Sequence, residues 1–381
     1  MKSNYKIFNG YIEGYYGRLL NWEERGKIIS KLKANKMNFY FYAPKEDEKH
    51  RLHWKLEYDK HWVLNFKNFC KKANLNYIKV IVGISPGISF NFLDFEKHGQ
   101  KSNDFNTLFK KCQFFLNNGA DEIALLFDDL PNNFKNVFGK SFSEGYAHAS
   151  LANQLLFFLK RSIYVVPRIY ADQLILEDKN YLVDFEKFIK KENITFYSGK
   201  NIVSKLIDKS TILNISKVIP TRFVIWDNFY SNDYCPRKLF LGPYIGRSSI
   251  NHIMINPTGL IETDLLILDI VKATKNSLKP NLEWKKVLIK HKIPIQFYDV
   301  SNYFLKPDFG NNPRLRKYSS SQKTITSLDF LLWKWKSPLS REWFPFLLGL
   351  KHDLQIIENS FSSERVIKTQ TKALANYIIK R

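Results

Sequence analysis

Between residues 7 and 276 the chain alternates two hydrophobic patterns. Short, bounded apolar runs recur at Ile7–Ile12, Asn38–Tyr42, Lys79–Ser85, Ile123–Phe127, Ile163–Tyr170, Thr195–Ser198, Phe223–Trp226 and Ile253–Asn256. Runs of this kind, apolar on both faces, read as buried parallel strands. Between them apolar residues recur with a helical period near 22–34, 60–73, 104–118, 144–160, 180–191, 202–215 and 235–241, and another stretch follows near 262–276. Asn21 before Trp22-Glu23-Glu24 and Ser143 before Glu144 are helix-start signals. Strands each followed by a helix predict an α/β fold, a (β/α)8 TIM barrel over residues 1–276. The alternative is a doubly wound open sheet. It is weakened because no G-x-G-x-x-G follows the first strand.

From Asn276-Ser277-Leu278-Lys279-Pro280 the pattern changes. Helical stretches are expected near 282–290, 295–305, 326–336, 341–359 and 363–379, with a Pro-, Gly-, Asn-, Arg- and Ser-rich loop at Lys306–Lys323. Residues 277–381 read as a smaller, helical C-terminal domain.

Composition narrows the class. A 44% hydrophobic and 15% aromatic chain can bury a large core. The 59 basic and 36 acidic residues give a net charge of +23, which raises a nucleic-acid or anionic-surface partner. The lysines are scattered over helix faces rather than gathered in a block. Abundant Lys, Asn, Ile and Phe indicate compositional drift, so a nucleic-acid partner is not expected. Cys70, Cys112 and Cys235 are far apart and form no C-x-x-C pair. Neither a disulfide framework nor a zinc site is expected. No apolar run reaches membrane-spanning length, and the N-terminus has no signal-peptide core. A soluble, cytoplasmic protein is expected, with its oligomeric state left open.

If the barrel is right, chemistry gathers where the strands end. The run Ile123–Phe127 leads straight into Asp128-Asp129-Leu130-Pro131. Two carboxylates there are candidates for catalysis, although the same four residues also make an ordinary strand exit. Other exits offer Glu13-Gly14-Tyr15-Tyr16-Gly17-Arg18, Ala43-Pro44-Lys45, Ser85-Pro86-Gly87, Tyr170, Ser198-Gly199, Trp226-Asp227-Asn228 with Asn232-Asp233, and Asn256-Pro257. Taken singly, Gly14 can serve a turn, Lys45 an ion pair and Trp226 the core. Together, aromatic rings for stacking and fixed polar groups for hydroxyls suit a carbohydrate pocket.

These segments resemble glycoside hydrolase family 84, the β-N-acetylglucosaminidases that include the O-GlcNAcases and some enzymes called hyaluronidases. The resemblance is carried by Gly10-Tyr-Ile-Glu-Gly-Tyr-Tyr-Gly-Arg18 with Trp22-Glu23-Glu24-Arg25, and by Asn38-Phe-Tyr-Phe-Tyr-Ala-Pro-Lys45 with His50-Arg51 and Trp54. Ile84-Ser-Pro-Gly87, Ala124-Leu-Leu-Phe-Asp-Asp-Leu130 and Val224-Ile-Trp-Asp-Asn228 with Asn232-Asp233-Tyr234 follow in the family's order. Leu239-Phe-Leu-Gly-Pro-Tyr-Ile-Gly-Arg247 and Ile255-Asn-Pro257 complete the set. Two segments depart from it. Val166–Tyr170 fits loosely, and Ser198-Gly199-Lys200 stands where the family usually has a Gly-Pro pair.

The resemblance implies a retaining β-N-acetylglucosaminidase that removes terminal β-linked GlcNAc through an oxazoline intermediate, without metal or cofactor. Asp128 would orient and polarise the substrate's acetamido group, and Asp129 would act as general acid and then base. Gly14, Lys45, Asn228, Asp233 and Asn256 would hold the hydroxyls and the acetamide. Tyr170 would lie near the acetamido group and Trp226 would line the pocket. Adjacent aspartates suit such chemistry, because nearby carboxyls push their proton affinities apart. Consecutive strand residues point to opposite faces, however, so both can reach one sugar only if the chain leaves strand geometry there. The rival readings are the same chemistry on a polysaccharide such as hyaluronan or a chitin fragment, a non-catalytic carbohydrate-binding barrel, and a polyanion binder.

Overall fold

In the computed structural model, which describes residues 7–138, 143–219, 221–307 and 322–357, eight parallel strands close into a barrel in chain order. They are β1 (Asn9–Glu13), β2 (Phe39–Tyr42), β3 (Lys79–Ile84), β4 (Glu122–Leu126), β5 (Tyr164–Val166), β6 (Ile194–Tyr197), β7 (Arg222–Asp227) and β8 (Ile253–Ile255). The expected (β/α)8 barrel is therefore present. Side chains alternate between two apolar cores. Phe39, Phe41, Ala124, Leu126, Val224 and Trp226 fill the barrel interior. Tyr40, Tyr42, Ile123, Leu125 and Ile225 pack outward against the helices. That double burial is why the strands read as continuous apolar runs.

The helices are α1 (Trp22–Ala34), α2 (Lys60–Leu75), α3 (Phe92–His98), α4 (Asn103–Asn117), α5 (Phe134–Phe138), α6 (Glu144–Leu159), α7 (Tyr181–Phe188), α8 (Lys209–Val218) and α9 (Ile261–Thr274). α1 starts where its capping box says it should: Asn21 accepts from the Glu24 amide and Glu24 reaches back to Asn21 N. Three expected elements differ. The helix expected at 202–215 begins only at Lys209, after the Asp208 cap. The helix expected at 235–241 does not form. Its backbone is committed elsewhere: Leu241 N donates to Phe304 O at 2.6 Å, and Trp284 Nε1 donates to Leu241 O at 2.6 Å. The β7–β8 connection is thus a loop. The fifth strand stops at Val166, where Pro167 ends the run expected to reach Tyr170.

Beyond α9 come α10 (Pro280–Lys290), α11 (Phe297–Val300), α12 (Gln322–Asp329) and α13 (Pro338–Ile357). α12 runs into a π-helical turn at Phe330–Lys334. Trp284, Phe297, Leu331, Trp343 and Leu347 belong to the same apolar cluster as the outward faces of the strands. Glu342 on α13 accepts from the Glu262 and Thr263 amides at 2.9 and 2.8 Å, a carboxylate on the N-terminus of α9. Trp343 Nε1 donates to Thr263 Oγ1 at 2.9 Å. The helix expected at 363–379 lies outside the described residues, as do residues 308–321 of the loop expected at Lys306–Lys323, whose last two residues are in α12. Among the described residues no helix is long and apolar enough to cross a membrane.

Candidate active site

The strand exits surround an open cleft of about 1070 Å³. Asp128 and Asp129 both line it, and the geometry follows from β4. Ala124 and Leu126 point into the barrel, so Asp128 continues the inward parity. Asp129 would point outward in a regular strand. Instead its φ is +57°, in the left-handed region, which Asp tolerates better than most residues. The turn brings the second carboxylate to the same cleft as the first.

The two carboxylates have different surroundings. Asp128 is buried. Its Oδ2 accepts from Lys45 Nζ, while its Oδ1 is buried with no hydrogen-bond partner among the described residues. Asp129 is partly exposed at the mouth, and its Oδ2 lies 3.5 Å from Lys45 Nζ. Tyr16 donates its hydroxyl to Asp129 Oδ2 at 2.9 Å, and Tyr170 OH lies 3.4 Å from Oδ1. Burial pushes the Asp128 carboxyl up from its ordinary value; Lys45 opposes the rise and Asp129 adds to it. Burial pulls the Lys45 ammonium down, but the two aspartates outweigh it and hold its affinity for the proton above the ordinary value. A cation between the pair therefore offsets the like-charge repulsion expected of adjacent aspartates.

The β7 and β8 exits build the opposite wall. Asn228 Oδ1 accepts from Trp226 Nε1 at 2.9 Å and from Asn256 Nδ2 at 3.0 Å. Asn256 Oδ1 accepts from Gly14 N at 3.1 Å. A Cβ at residue 14 would sit 2.5 Å from the Trp226 ring, so only glycine fits there. Trp226 is both core and wall: its ring packs at 5.6 Å from Phe41 and 6.0 Å from Phe196 while lining the cleft. Asp233 accepts from Tyr16 N at 3.0 Å and Tyr234 N at 2.9 Å, which spans the mouth from β7 to β1.

Of the nine site residues expected from the sequence, eight line the cleft: Gly14, Asp128, Asp129, Tyr170, Trp226, Asn228, Asp233 and Asn256. Lys45 does not. Its side chain is 1% exposed and sits beneath the carboxylates. Ser231, Gln173, Asn201 and Pro307 also line the cleft without having been marked by the strand exits. Ser231 donates to Asn256 O at 2.5 Å. Its position, three residues past Asn228 in a stretch of polar residues, was a usable signal. Pro307 arrives from the helical region, and nothing local announces it.

A buried ion pair helps to hold the β7–β8 loop. Arg247 Nε donates to Asp227 Oδ2 at 2.8 Å, and its Nη1 reaches Lys205 O at 2.7 Å, which ties the β6 and β7 exits together. Tyr244 OH donates to the same Asp227 oxygen at 2.6 Å. Arg247→Met leaves a buried carboxylate without its cation. The expected loss is about 3–5 kcal/mol of unfolding free energy, read as a lower urea midpoint at unchanged m-value. An unchanged midpoint would show that the pair is not what fixes the loop.

Three further observations concern kinship. A family model described as beta-N-acetylglucosaminidase matches residues 9–264. The chain is 30% identical over 273 residues to the Protein O-GlcNAcase of Rattus norvegicus and equally to that of Mus musculus. The match spans 68% of this chain and 29% of each relative's length. Its fold superposes on a mutant of the Thermobaculum terrenum O-GlcNAc hydrolase with a TM-score of 0.74 at 23% identity. That similarity covers 95% of this chain and 87% of the other.

Proposed function

Because the chain belongs to the β-N-acetylglucosaminidases of glycoside hydrolase family 84, we propose that it removes terminal β-linked N-acetylglucosamine with retention, using the substrate's own acetamido group as nucleophile. The observation that carries this reading is the orphaned, buried Asp128 Oδ1 beside a second carboxylate at the mouth. Substrate-assisted glycosidases need no carboxylate nucleophile. They need an acceptor for the acetamide N–H, which Asp128 Oδ1 supplies, and a carboxyl at the glycosidic oxygen, which Asp129 supplies.

As the acetamido oxygen bonds to the anomeric carbon, the glycosidic bond breaks and Asp129 gives its proton to the leaving oxygen. Positive charge spreads over the forming oxazoline, and the Asp128 carboxylate offsets it. Water then opens the ring while Asp129 recovers a proton from it. Lys45 keeps Asp128 available as the anion from below. Gly14, Asn228, Asp233 and Asn256 orient the sugar's hydroxyls, Trp226 forms the apolar floor, and Tyr170 borders the acetamido group. We assign residues 1–276 to the catalytic barrel and 277–381 to a C-terminal domain, whose described helical part supports the β7–β8 side of the cleft. The substrate is a β-N-acetylglucosaminide carried on a protein or glycan. Free thiols at Cys70, Cys112 and Cys235 fit a reducing cytoplasm. A purely sugar-binding role is disfavoured, since binding alone does not call for two carboxylates with a cation between them.

The direct test is release of GlcNAc from an aryl β-N-acetylglucosaminide, followed by NMR. The β-anomer should form first, and a thiazoline analogue of the oxazoline should inhibit competitively, binding at least about 100-fold tighter than GlcNAc. An α-anomer as first product, or no inhibition by the thiazoline, overturns substrate assistance.

A further inference from the structure

The groups around Asp129 make its two oxygens unequal. Lys45 Nζ and the Tyr16 hydroxyl both approach Oδ2. Behind Tyr16 stands Arg51. Its Nη1 donates to the tyrosine oxygen at 2.6 Å, and its Nη2 donates to the Asp129 carbonyl at 3.0 Å. A guanidinium has donors only, and a phenol has one proton. The Tyr16 oxygen must therefore accept from Arg51, and its own proton is left to point at Asp129 Oδ2. The hydroxyl keeps that proton at working pH, since burial pushes its pKa up to about 12. Oδ2 thus faces an obligate hydroxyl donor and an ammonium, and a proton placed on it would point at two donors. Among the described residues Oδ1 meets only the Tyr170 hydroxyl, at 3.4 Å. Among the described residues no cation backs that hydroxyl, so it can turn to donate or accept.

We propose that Arg51 is a positioning residue for the reaction. By fixing the direction of the Tyr16 hydroxyl it reserves Asp129 Oδ1 as the oxygen that gives up and recovers the catalytic proton. The inference rests on the reading of Asp129 as general acid. In the first step the Oδ1–H bond breaks as an O–H bond forms on the leaving oxygen, which takes the electron pair of the breaking C–O bond. In the second step a water O–H bond breaks and Oδ1–H re-forms. Arg51 also holds the Asp129 carbonyl, which keeps the left-handed turn in place. The charged and titratable groups facing Asp129 are Lys45, Arg51, Asp128, Tyr16 and Tyr170.

Removing a donor to the Asp129 anion raises its affinity for the proton. In Tyr16→Phe the alkaline limb of kcat/KM, which reports the acid form, should therefore move to higher pH. The weaker acid should lower kcat about tenfold for poor leaving groups, and far less for good ones, with little change in KM. Arg51→Met should reproduce both effects, because the freed hydroxyl turns to solvent. Arg51→Lys should not restore them, since one ammonium cannot span both the Tyr16 oxygen and the Asp129 carbonyl. The double variant should be no worse than either single one. Tyr16→Phe removes only a hydroxyl, so it reads the effect even if Arg51→Met folds poorly. Equal losses on good and poor leaving groups with an unmoved limb would overturn the inference. If Asp129→Asn itself shows no leaving-group dependence, it is the general-acid reading that fails. If it does show that dependence and Tyr16→Phe matches wild type, only the present inference falls.

Discussion

Asp128→Asn lowers kcat/KM on aryl β-N-acetylglucosaminides by about 10²–10³-fold, and a better leaving group does not restore it. The substitution keeps the shape of the side chain and removes its charge. Three consequences follow from the surroundings of Asp128. The oxygen that would accept the acetamide N–H becomes weaker or, with the amide turned, a donor. The oxazoline's positive charge loses the buried anion nearest to it. Lys45, whose buried Nζ is paired with Asp128, loses its principal counter-charge. All three act on the attack of the acetamido oxygen, not on departure of the aglycone. A series of aryl substrates should therefore show a uniform drop, with the wild-type slope against leaving-group acidity. Thiazoline affinity should fall with it, since that ligand mimics the state Asp128 stabilises. Near-wild-type activity, or recovery with a good leaving group, would remove Asp128 from the attack step.

The barrel was legible because its signal is local and repeated. Each strand is buried on two faces, so each reads as an unbroken apolar run, and the exits fall where polar residues begin. The largest failure depended on partners distant in sequence. Residues 235–241 carry a helical pattern, yet Tyr230 OH reaches Gly242 O at 2.7 Å and Leu241 is clamped between Phe304 and Trp284. A Cβ at residue 242 would sit 2.0 Å from Leu305 O, so the loop and the helical region meet backbone to backbone. No pattern within residues 235–241 reports that contact. Pro307 reached the cleft by the same route.

The site was legible as a list of residues but not as geometry. Strand parity places Asp128 inside and Asp129 outside; the φ of +57° that reverses this falls on an aspartate, not on a glycine that would have marked it. Lys45 shows a second limit. Its position at a strand exit suggested contact with sugar, but the pull of two carboxylates set it beneath them, paired with Asp128 and 3.5 Å from Asp129. Tyr16 shows the converse. Its ring suggested stacking, and its hydroxyl turned out to be the link between Arg51 and Asp129.

Asp129→Asn separates the two aspartates, because its defect depends on the aglycone. The variant should lose about 10²–10⁴-fold in kcat/KM on substrates whose leaving group needs protonation, such as alkyl glycosides. On an aryl glycoside with a strongly acidic phenol the first step needs no proton, so most of that loss should vanish. The second step still lacks its base, and the oxazoline accumulates when formation outruns hydrolysis. A burst of phenol followed by slow turnover is then expected, with KM lowered along with kcat. The surroundings make Asn a clean replacement. Tyr16 can still donate to the side-chain oxygen, Arg51 still holds the residue 129 carbonyl, and Asn tolerates the left-handed turn as Asp does. Asp128 and Lys45 stay paired, so acetamide attack remains intact. The result that sinks the assignment is a loss of equal size on acidic and non-acidic leaving groups. Asp129 would then act on the attack step with Asp128, and the proton for the leaving oxygen would have to come from another group at the cleft mouth, of which Tyr170 is the nearest to Oδ1.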